Sequence, residues 1–231
     1  MGVLLAVLFT RLSPKVEAVH SDGQPTHTRL GLHRSGRVVL KLSTLFGLDA
    51  FAGGFVVQSL VGYWFHVRFG VEPTALGGIF FGANILAGIS ALAAASVAAR
   101  IGLVNTMVFT HLPSNMLLML VPLMPNLSSA IVVLFARFAI SQMDVPPRQS
   151  YTMAVVAPDE RSAAAGITGI ARSIGAAISP TLAGTFLSNP VLLGVPFFLA
   201  GGLKVIYDIL LYRSFRHIKE DEREDARPGK D

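Results

Sequence analysis

The chain has 231 residues, of which 52% are hydrophobic and only 14% are charged, with a formal net charge of +5. Ordinary soluble domains carry about 25% charged residues, so this composition, with a mean hydropathy of +0.58, indicates a membrane protein. Most basic residues lie at the ends of apolar segments, which the positive-inside rule explains without a nucleic-acid partner. Cysteine is absent, which excludes disulfides and thiolate metal sites. No residue pattern suggests a metal, nucleotide or haem cofactor.

The chain begins with a nine-residue apolar stretch, Met1–Phe9. A helix needs about 20 apolar residues to cross a bilayer, so this stretch is too short to span. Arg11 and Lys15 follow it, as basic residues follow the cytoplasmic end of a membrane helix. We interpret residues 1–37 as the remnant of a preceding helix followed by a polar cytoplasmic linker.

Residues 38–215 contain six apolar segments of spanning length, separated by short polar or proline-containing turns. They are Val38–Phe65, Thr74–Ala98, Val104–Met124, Leu127–Ala157, Ala163–Leu187 and Leu193–Phe215. The sequence therefore predicts an all-α membrane protein with a bundle of six transmembrane helices. Residues 216–231 mix both signs of charge and are interpreted as a cytoplasmic tail.

The distribution of Lys and Arg predicts the orientation of this bundle. If both termini are cytoplasmic, fourteen basic residues lie on the inner side and Arg68 alone lies on the outer side. Cytoplasmic loops carry an excess of Lys and Arg. We therefore expect a multi-pass protein of the cell (inner) membrane with both termini in the cytoplasm.

The fourth segment carries a stripe of polar residues. Four of them follow at intervals of four, three and four, and at about 100° per residue they fall within about 60° of one helix face: Arg137, Ser141, Asp144 and Arg148. A charge in hydrocarbon costs several kcal/mol unless it is paired or faces a wet cavity, so the stripe predicts a protein interior with water or a ligand. Asp144 and Arg148 could instead neutralise each other as an i,i+4 pair. Prolines 146 and 147 predict a bend in this helix.

Two further segments carry charged residues at membrane depth. In the first, Asp49 is either a structural carboxylate paired with an arginine or a protonatable coupling site, and Gln58 follows it. The fifth has a second polar stripe around Arg172, formed with Thr168, Gly175 and Ser179. We predict that Arg137 and Arg172 face one cavity, with Asp49 or Asp144 as the nearest counter-charge. The glycines of the fifth segment, Gly166 and Gly169 included, would permit close helix contact.

The remaining two segments also carry polar side chains. Lys204 and Asp208 in the sixth segment have i,i+4 spacing, which favours mutual neutralisation. His111, Pro113 and Asn115 indicate a kink in the third segment. His111 is either a packing and hydrogen-bonding residue or part of a proton relay.

Several stretches resemble the C-terminal six-helix half of a major facilitator superfamily transporter. They are Leu48–Gly54 with Gln58, Tyr63–Phe65, Ala99–Gly102, Ser141–Gln149 and Pro158–Arg161. The last resembles the cytoplasmic turn between the tenth and eleventh helices of that family. Of the family's cytoplasmic Gly-x-x-x-Asp-Arg-x-Gly-Arg signature, only Arg100 and Gly102 are present.

The resemblance implies secondary active transport of a small solute through a path between two six-helix halves, often coupled to protons, as uptake or drug efflux. The substrate or coupling candidates are then Asp49, Gln58, Arg137, Asp144, Arg148 and Arg172. The expected partners are the lipid bilayer, a small solute, and a separate N-terminal half or a second copy. The alternative is a non-transporting remnant or assembly partner. An intramembrane enzyme is disfavoured, because Gly88-Ile89-Ser90-Ala91 lacks the last glycine of a rhomboid-type nucleophile motif.

Overall fold

A computed structural model describes residues 31–215 of the chain. This range is helical, and its α-helices are α1 (Gly36–Gly54), α2 (Gln58–Phe69), α3 (Pro73–Ile101), α4 (Leu103–Leu120), α5 (Leu127–Ser141), α6 (Val145–Ala154), α7 (Arg161–Leu187) and α8 (Val195–Phe215). Short 3-10 helices lie at Val121–Leu123, Pro158–Glu160 and Pro190–Leu192. The described part contains no strand, so the predicted all-α class is confirmed. The predicted helix remnant at Met1–Phe9 and the predicted tail lie outside the described residues.

Five helical stretches are long and apolar enough to cross a membrane. They are Gly36–Phe69, Pro73–Ile101, Leu103–Leu123, Leu127–Ala154 and Pro190–Phe215. The sixth predicted span is the 27-residue helix α7, which is long enough but is not among these five. Its sequence is rich in Gly, Ala, Ser and Thr rather than in Leu, Ile and Phe. The prediction of a sixth span is therefore supported by helix length alone.

Local sequence sets where several helices begin and end. Pro73 opens α3 at the first helical position, where a missing N–H is harmless. Gly102 separates α3 from α4 with φ of 88°, a value that side chains with a Cβ rarely adopt. Asn126 caps α5, because its side chain accepts a hydrogen bond of 2.9 Å from the backbone N–H of Ser129.

The fourth span is broken where the proline pair predicted a bend. α5 ends at Ser141 and α6 begins at Val145, so the two prolines fall within the first turn of α6. Proline is tolerated there because the first N–H groups of a helix have no intrahelical acceptor. In the interval, the backbone N–H of Gln142 donates to Ser90 Oγ at 3.3 Å. The polar stripe is therefore divided between two helices.

Helices α1 and α7 pack more closely than any other pair, and glycines allow this. A Cβ placed on Gly175 would lie 2.3 Å from the carbonyl oxygen of Gly47, and one on Gly54 would lie 2.0 Å from Ser179 Oγ. Both distances are too short for real atoms, so only glycine permits this approach. Gly166 and Gly169, which we expected to permit close contact, would have no neighbouring atom within 4 Å of an added Cβ. That expectation was wrong, because the contact lies farther along α7.

Two apolar clusters lie along the bundle, with polar residues between them. The Trp64 cluster contains Phe55, Trp64, Phe65, Phe80, Leu118, Leu134 and Phe197, among others. The Tyr207 cluster contains Leu42, Phe46, Met107, Tyr151, Tyr207, Leu211 and Phe215, among others. Along the chain, Asp49 of α1 lies between Phe46 and Phe55, and His111 and Asn115 of α4 lie between Met107 and Leu118. The buried charges thus form a layer with apolar packing on both sides.

Candidate functional site

Asp49 is at the centre of the buried polar layer. Its Oδ2 accepts a hydrogen bond of 2.9 Å from Arg148 Nη1, and its Oδ1 accepts one of 2.5 Å from Lys204 Nζ. His111 Nε2 lies 3.8 Å from the same Oδ1. The Asp49 side chain is only 7% exposed. A single buried carboxylate therefore contacts groups from three other helices, α4, α6 and α8. The structural alternative for Asp49, pairing with an arginine of another helix, describes this geometry.

Arg148 links two carboxylates. Besides Asp49, it contacts Asp144, four residues earlier, through Nη2 and Oδ2. The predicted Asp144–Arg148 pair therefore exists, but it is not self-contained. Both side chains are buried, and a buried charge is stable only when it is paired and hydrogen-bonded. The pair belongs to a network that holds α1 and α6 together.

Asp208 forms a second branch of the network. Its Oδ1 accepts a hydrogen bond of 2.8 Å from His111 Nδ1, and its Oδ2 accepts one of 3.0 Å from Asn115 Nδ2. Lys204 bonds instead to Asp49, so the predicted Lys204–Asp208 pair is wrong. The two α8 residues reach different partners because Asp208 is fully enclosed against α4, whereas Lys204 points to α1. His111 consequently lies between two carboxylates, those of Asp49 and Asp208.

A polar cavity of about 170 Å³ opens beside this network. Its walls are Asp49, His111, Ser114, Arg137, Ser141, Gln142, Asp144, Val145, Arg148, Arg172 and Lys204. All four members of the predicted fourth-segment stripe are among them, although α5 and α6 are separate helices. The structure also brings Arg137 and Arg172 to the wall of one cavity, together with Asp49 and Asp144. Whether these residues bind substrate or couple ions stays a prediction.

The two remaining arginines of the cavity differ from Arg148. Within the described part of the chain, Arg137 has no carboxylate partner, and its Nε is enclosed without a hydrogen-bond partner. Its guanidinium lies 5.1 Å from the ring centre of Phe138, which cannot neutralise the charge. Arg172 is exposed, and among residues 31–215 it also has no ion pair.

Gln58 and most of the fifth-segment stripe lie elsewhere. Gln58 lines a separate groove of about 580 Å³ with Tyr63, His66 and Phe80, so the structure does not bring it to the charged cavity. On α7, the hydroxyl group of Thr168 donates a hydrogen bond of 2.7 Å to the carbonyl oxygen of Ala164 in the same helix. The other small residues of that stripe pack on α1, and Arg172 is its one member on the cavity wall.

Sequence reasoning missed one polar site outside the membrane-spanning helices, at Glu160. Its carboxylate is fully enclosed and accepts hydrogen bonds from the backbone N–H groups of His33, Arg34 (2.7 Å) and Ser35 (2.8 Å), just before α1 begins. Burial alone would raise the pKa of Glu160, but these donors outweigh it and lower the pKa to about 2. His33 also contacts Asp159 at 3.1 Å. This turn therefore anchors the start of α1.

The hydrogen-bonding role of Asn115, which we expected only as part of a kink, left a partial signal in the sequence. Asn115 follows His111 by four residues, so both lie on one helix face, and together they bind Asp208. Their spacing could have predicted a shared partner. Which acidic residue it would be depends on how α4 packs on α8, and no local pattern encodes that.

A bundle of apolar helices around a buried, charged cavity defines a polytopic membrane protein with a polar interior. The family model of the Major Facilitator Superfamily matches residues 1–180, which is most of the chain. The chain therefore belongs to the Major Facilitator Superfamily, and the predicted resemblance is confirmed at that level. This is a family of transporters.

A yeast membrane protein is similar to this chain. The two are 26% identical over 175 residues, and the relative is the uncharacterized membrane protein YJR124C of Saccharomyces cerevisiae. The aligned region covers 75% of this chain and 39% of that protein, so the chain spans less than half of its relative's length. No solved structure matches the chain.

Proposed function

We propose that this chain forms part of a secondary active transporter that couples movement of a small solute, inward or outward, to protons. The observation that carries the proposal is the buried network around Asp49, which joins α1, α4, α6 and α8 beside a polar cavity. Buried charges of this kind are costly and mark ion or substrate pathways in membrane proteins. Family membership supports the same function class.

His111 is the proposed proton-handling group. It donates from Nδ1 to Asp208, and its Nε2 faces Asp49 at 3.8 Å. A proton added at Nε2 would be shared with the Asp49 carboxylate, which is also held by Lys204. Protonation of His111 would therefore weaken the attraction between Asp49 and Lys204, and with it the contact between α1 and α8.

Proton movement tests this proposal even while the substrate is unidentified. The chain is purified together with any six-helix half that it binds, and is reconstituted into liposomes that contain a pH-sensitive dye. A panel of small carboxylates, neutral amides and quaternary amines is then added in turn. At least one compound should cause a pH change inside the vesicles. The His111→Gln variant should lose this response, while exchange of labelled solute across the membrane continues. Arg213→Gln, which changes an exposed residue near the end of α8, is the matched control.

Two results would contradict the proposal. If no compound moves protons in any preparation, coupling to protons is wrong. If His111→Gln retains full proton movement, His111 is not the coupling group.

We also propose that a second helical bundle covers the cavity. This is supported by Arg172, which lies on the cavity wall and is nevertheless exposed. An exposed arginine at membrane depth is costly against lipid. A separate N-terminal six-helix half or a second copy of this chain would relieve that cost. The distribution of Lys and Arg supports an orientation with both termini in the cytoplasm. Substrate flux from a demonstrated monomer would refute this arrangement, whereas the absence of flux from every assembly would favour a non-transporting assembly partner.

A further inference from the structure

The charges on the cavity wall do not balance. Four basic side chains line it: Arg137, Arg148, Arg172 and Lys204. Two carboxylates line it, those of Asp49 and Asp144, and Asp208 lies behind His111. Even when all three carboxylates are ionised and His111 is neutral, one positive charge remains without a counterpart among residues 31–215.

The excess charge can be located from the ion pairs. Asp49 is shared by Arg148 and Lys204, Asp144 contacts Arg148, and Asp208 is taken by His111 with Asn115. Every carboxylate of the layer is thus occupied. Arg137 and Arg172 are the cations that these pairs leave over.

Arg137 is the more informative of the two. Its Nε is enclosed by protein and has no acceptor, although an unsatisfied donor in such a place costs free energy. Ser114 and Gln142 lie on the same wall and supply a hydroxyl group and an amide. A guanidinium with free N–H groups beside neutral donors is the arrangement that binds a carboxylate or a phosphate.

The cavity is large enough for a small anion. At about 30 Å³ per water molecule, its volume of about 170 Å³ corresponds to about six waters. A carboxylate or phosphate group with a few attached atoms fits this space. Arg172 at the exposed side would hold a second anionic group or the rest of the molecule.

We propose that the cavity binds a small anion, with Arg137 as the main anchor and Arg172 as a second cationic contact. This rests on the proposed function, since it names the substrate class of the same site: a solute that carries a carboxylate or phosphate group. The anion would supply the negative charge that the described residues lack. A cationic solute is disfavoured, because it would add to an existing excess of positive charge.

Equilibrium binding to the purified protein in detergent tests this proposal independently of transport. The probes are inorganic phosphate, acetate and succinate, with acetamide and succinamide as uncharged analogues of similar shape, and binding is measured by calorimetry. The anions should bind and the amides should not. Arg137→Gln should weaken anion binding at least tenfold and Arg172→Gln by a smaller factor, whereas Arg213→Gln should leave it unchanged.

The conservative variant Arg137→Lys separates charge from folding. It retains a cation without the planar fork, so it should bind anions more weakly than the wild type and more strongly than Arg137→Gln. If Arg137→Gln does not fold, the comparison of Arg137→Lys with wild type still decides the point. Anions that bind Arg137→Lys and Arg172→Gln as tightly as the wild type would overturn the proposal. Binding of the amides with no binding of the anions would overturn it as well.

Failure of this proposal is distinguishable from failure of the proposed function. Arginine-dependent binding of anions without proton movement or flux would leave the site intact and refute transport. Flux of an uncharged solute that is insensitive to Arg137→Gln would support transport and refute the anion site.

Discussion

Replacing Asp49 by asparagine tests the network at its centre. The substitution preserves side-chain size and removes the charge that Arg148 contacts at 2.9 Å and Lys204 at 2.5 Å. Arg148 keeps its contact with Asp144, but within residues 31–215 Lys204 has no other carboxylate partner. The main consequence is therefore one buried ammonium group without a counter-charge.

The expected loss of stability follows from this one unpaired ammonium group. Breaking a buried ion pair by removing one partner costs about 3–5 kcal/mol, mostly because the other charge stays buried. Since only Lys204 loses all its carboxylate contacts, we expect a loss of about 3 kcal/mol for Asp49→Asn, at the lower end of that range. Adding Lys204→Met removes the orphaned charge and should restore much of this loss, because replacing both members of a buried pair by groups of similar size is often nearly neutral.

Reversible unfolding of the purified protein in mixed detergent micelles measures these differences. Glu72→Gln serves as the control, because Glu72 is exposed before α3 and surface substitutions usually change stability by less than about 0.5 kcal/mol. The role of the Asp49 carboxylate in stability is refuted if Asp49→Asn is as mild as Glu72→Gln. It is equally refuted if the losses from Asp49→Asn and Lys204→Met simply add, since residues in contact should be coupled.

Gly175→Ala should destabilise the bundle by about 1–3 kcal/mol, because its methyl group would overlap the backbone of α1. Gly169→Ala is the control and should not destabilise the bundle, because the space around Gly169 is open. Equal melting temperatures of the two variants would contradict the close packing of α7 on α1. Glu160→Gln should lower stability at neutral pH. The folded-state pKa of Glu160 is about 2, below its ordinary value of 4.5, so its contribution to stability is complete above pH 4.5 and is lost as the pH falls toward 2. A stability difference between wild type and variant that stays constant from pH 7 to pH 3, a range of about four pH units, would refute this. Single cysteines at Arg68 and Asp159, both exposed, should react with an impermeant reagent from opposite sides of intact cells, and reaction of both from outside would disprove the orientation.

The fold class was predictable from the sequence because membrane helices are encoded locally. Each long apolar run must satisfy its own backbone hydrogen bonds, so a hydropathy pattern already defines a helix. The proline pair in the fourth span likewise predicted a break, which occurs between Ser141 and Val145. Helix α7 is the exception. Its small residues permit close packing but lower its hydropathy, so α7 is not among the helices that are apolar enough to be identified as membrane spans.

Most of the predicted residues lie at the site, but only part of their pairing was predictable from the sequence. Periodicity showed that Arg137, Asp144 and Arg148 share a face, and the cavity contains all three. It could not show that Lys204 bonds across 155 residues to Asp49 rather than to Asp208 four residues away. Which partner a charged side chain reaches depends on the rotation of its helix and on which helices pack against it. Both are properties of the assembled bundle. The same limit explains why Gln58, on the same predicted span as Asp49, lines a different groove.

The sequence separations within the Asp49 network have a consequence for synthesis. Helices enter the membrane in chain order, and Asp49 is inserted with the first described helix, 99 residues ahead of Arg148 and 155 ahead of Lys204. Until α6 is inserted, its carboxylate lacks both cations, in a bilayer where an acidic residue at the centre of a helix costs about 2.5–3.5 kcal/mol. Arg148 arrives with α6, and Lys204 follows only with α8. A chain that stops before α6 would therefore leave the Asp49 carboxylate without either cation in the bilayer.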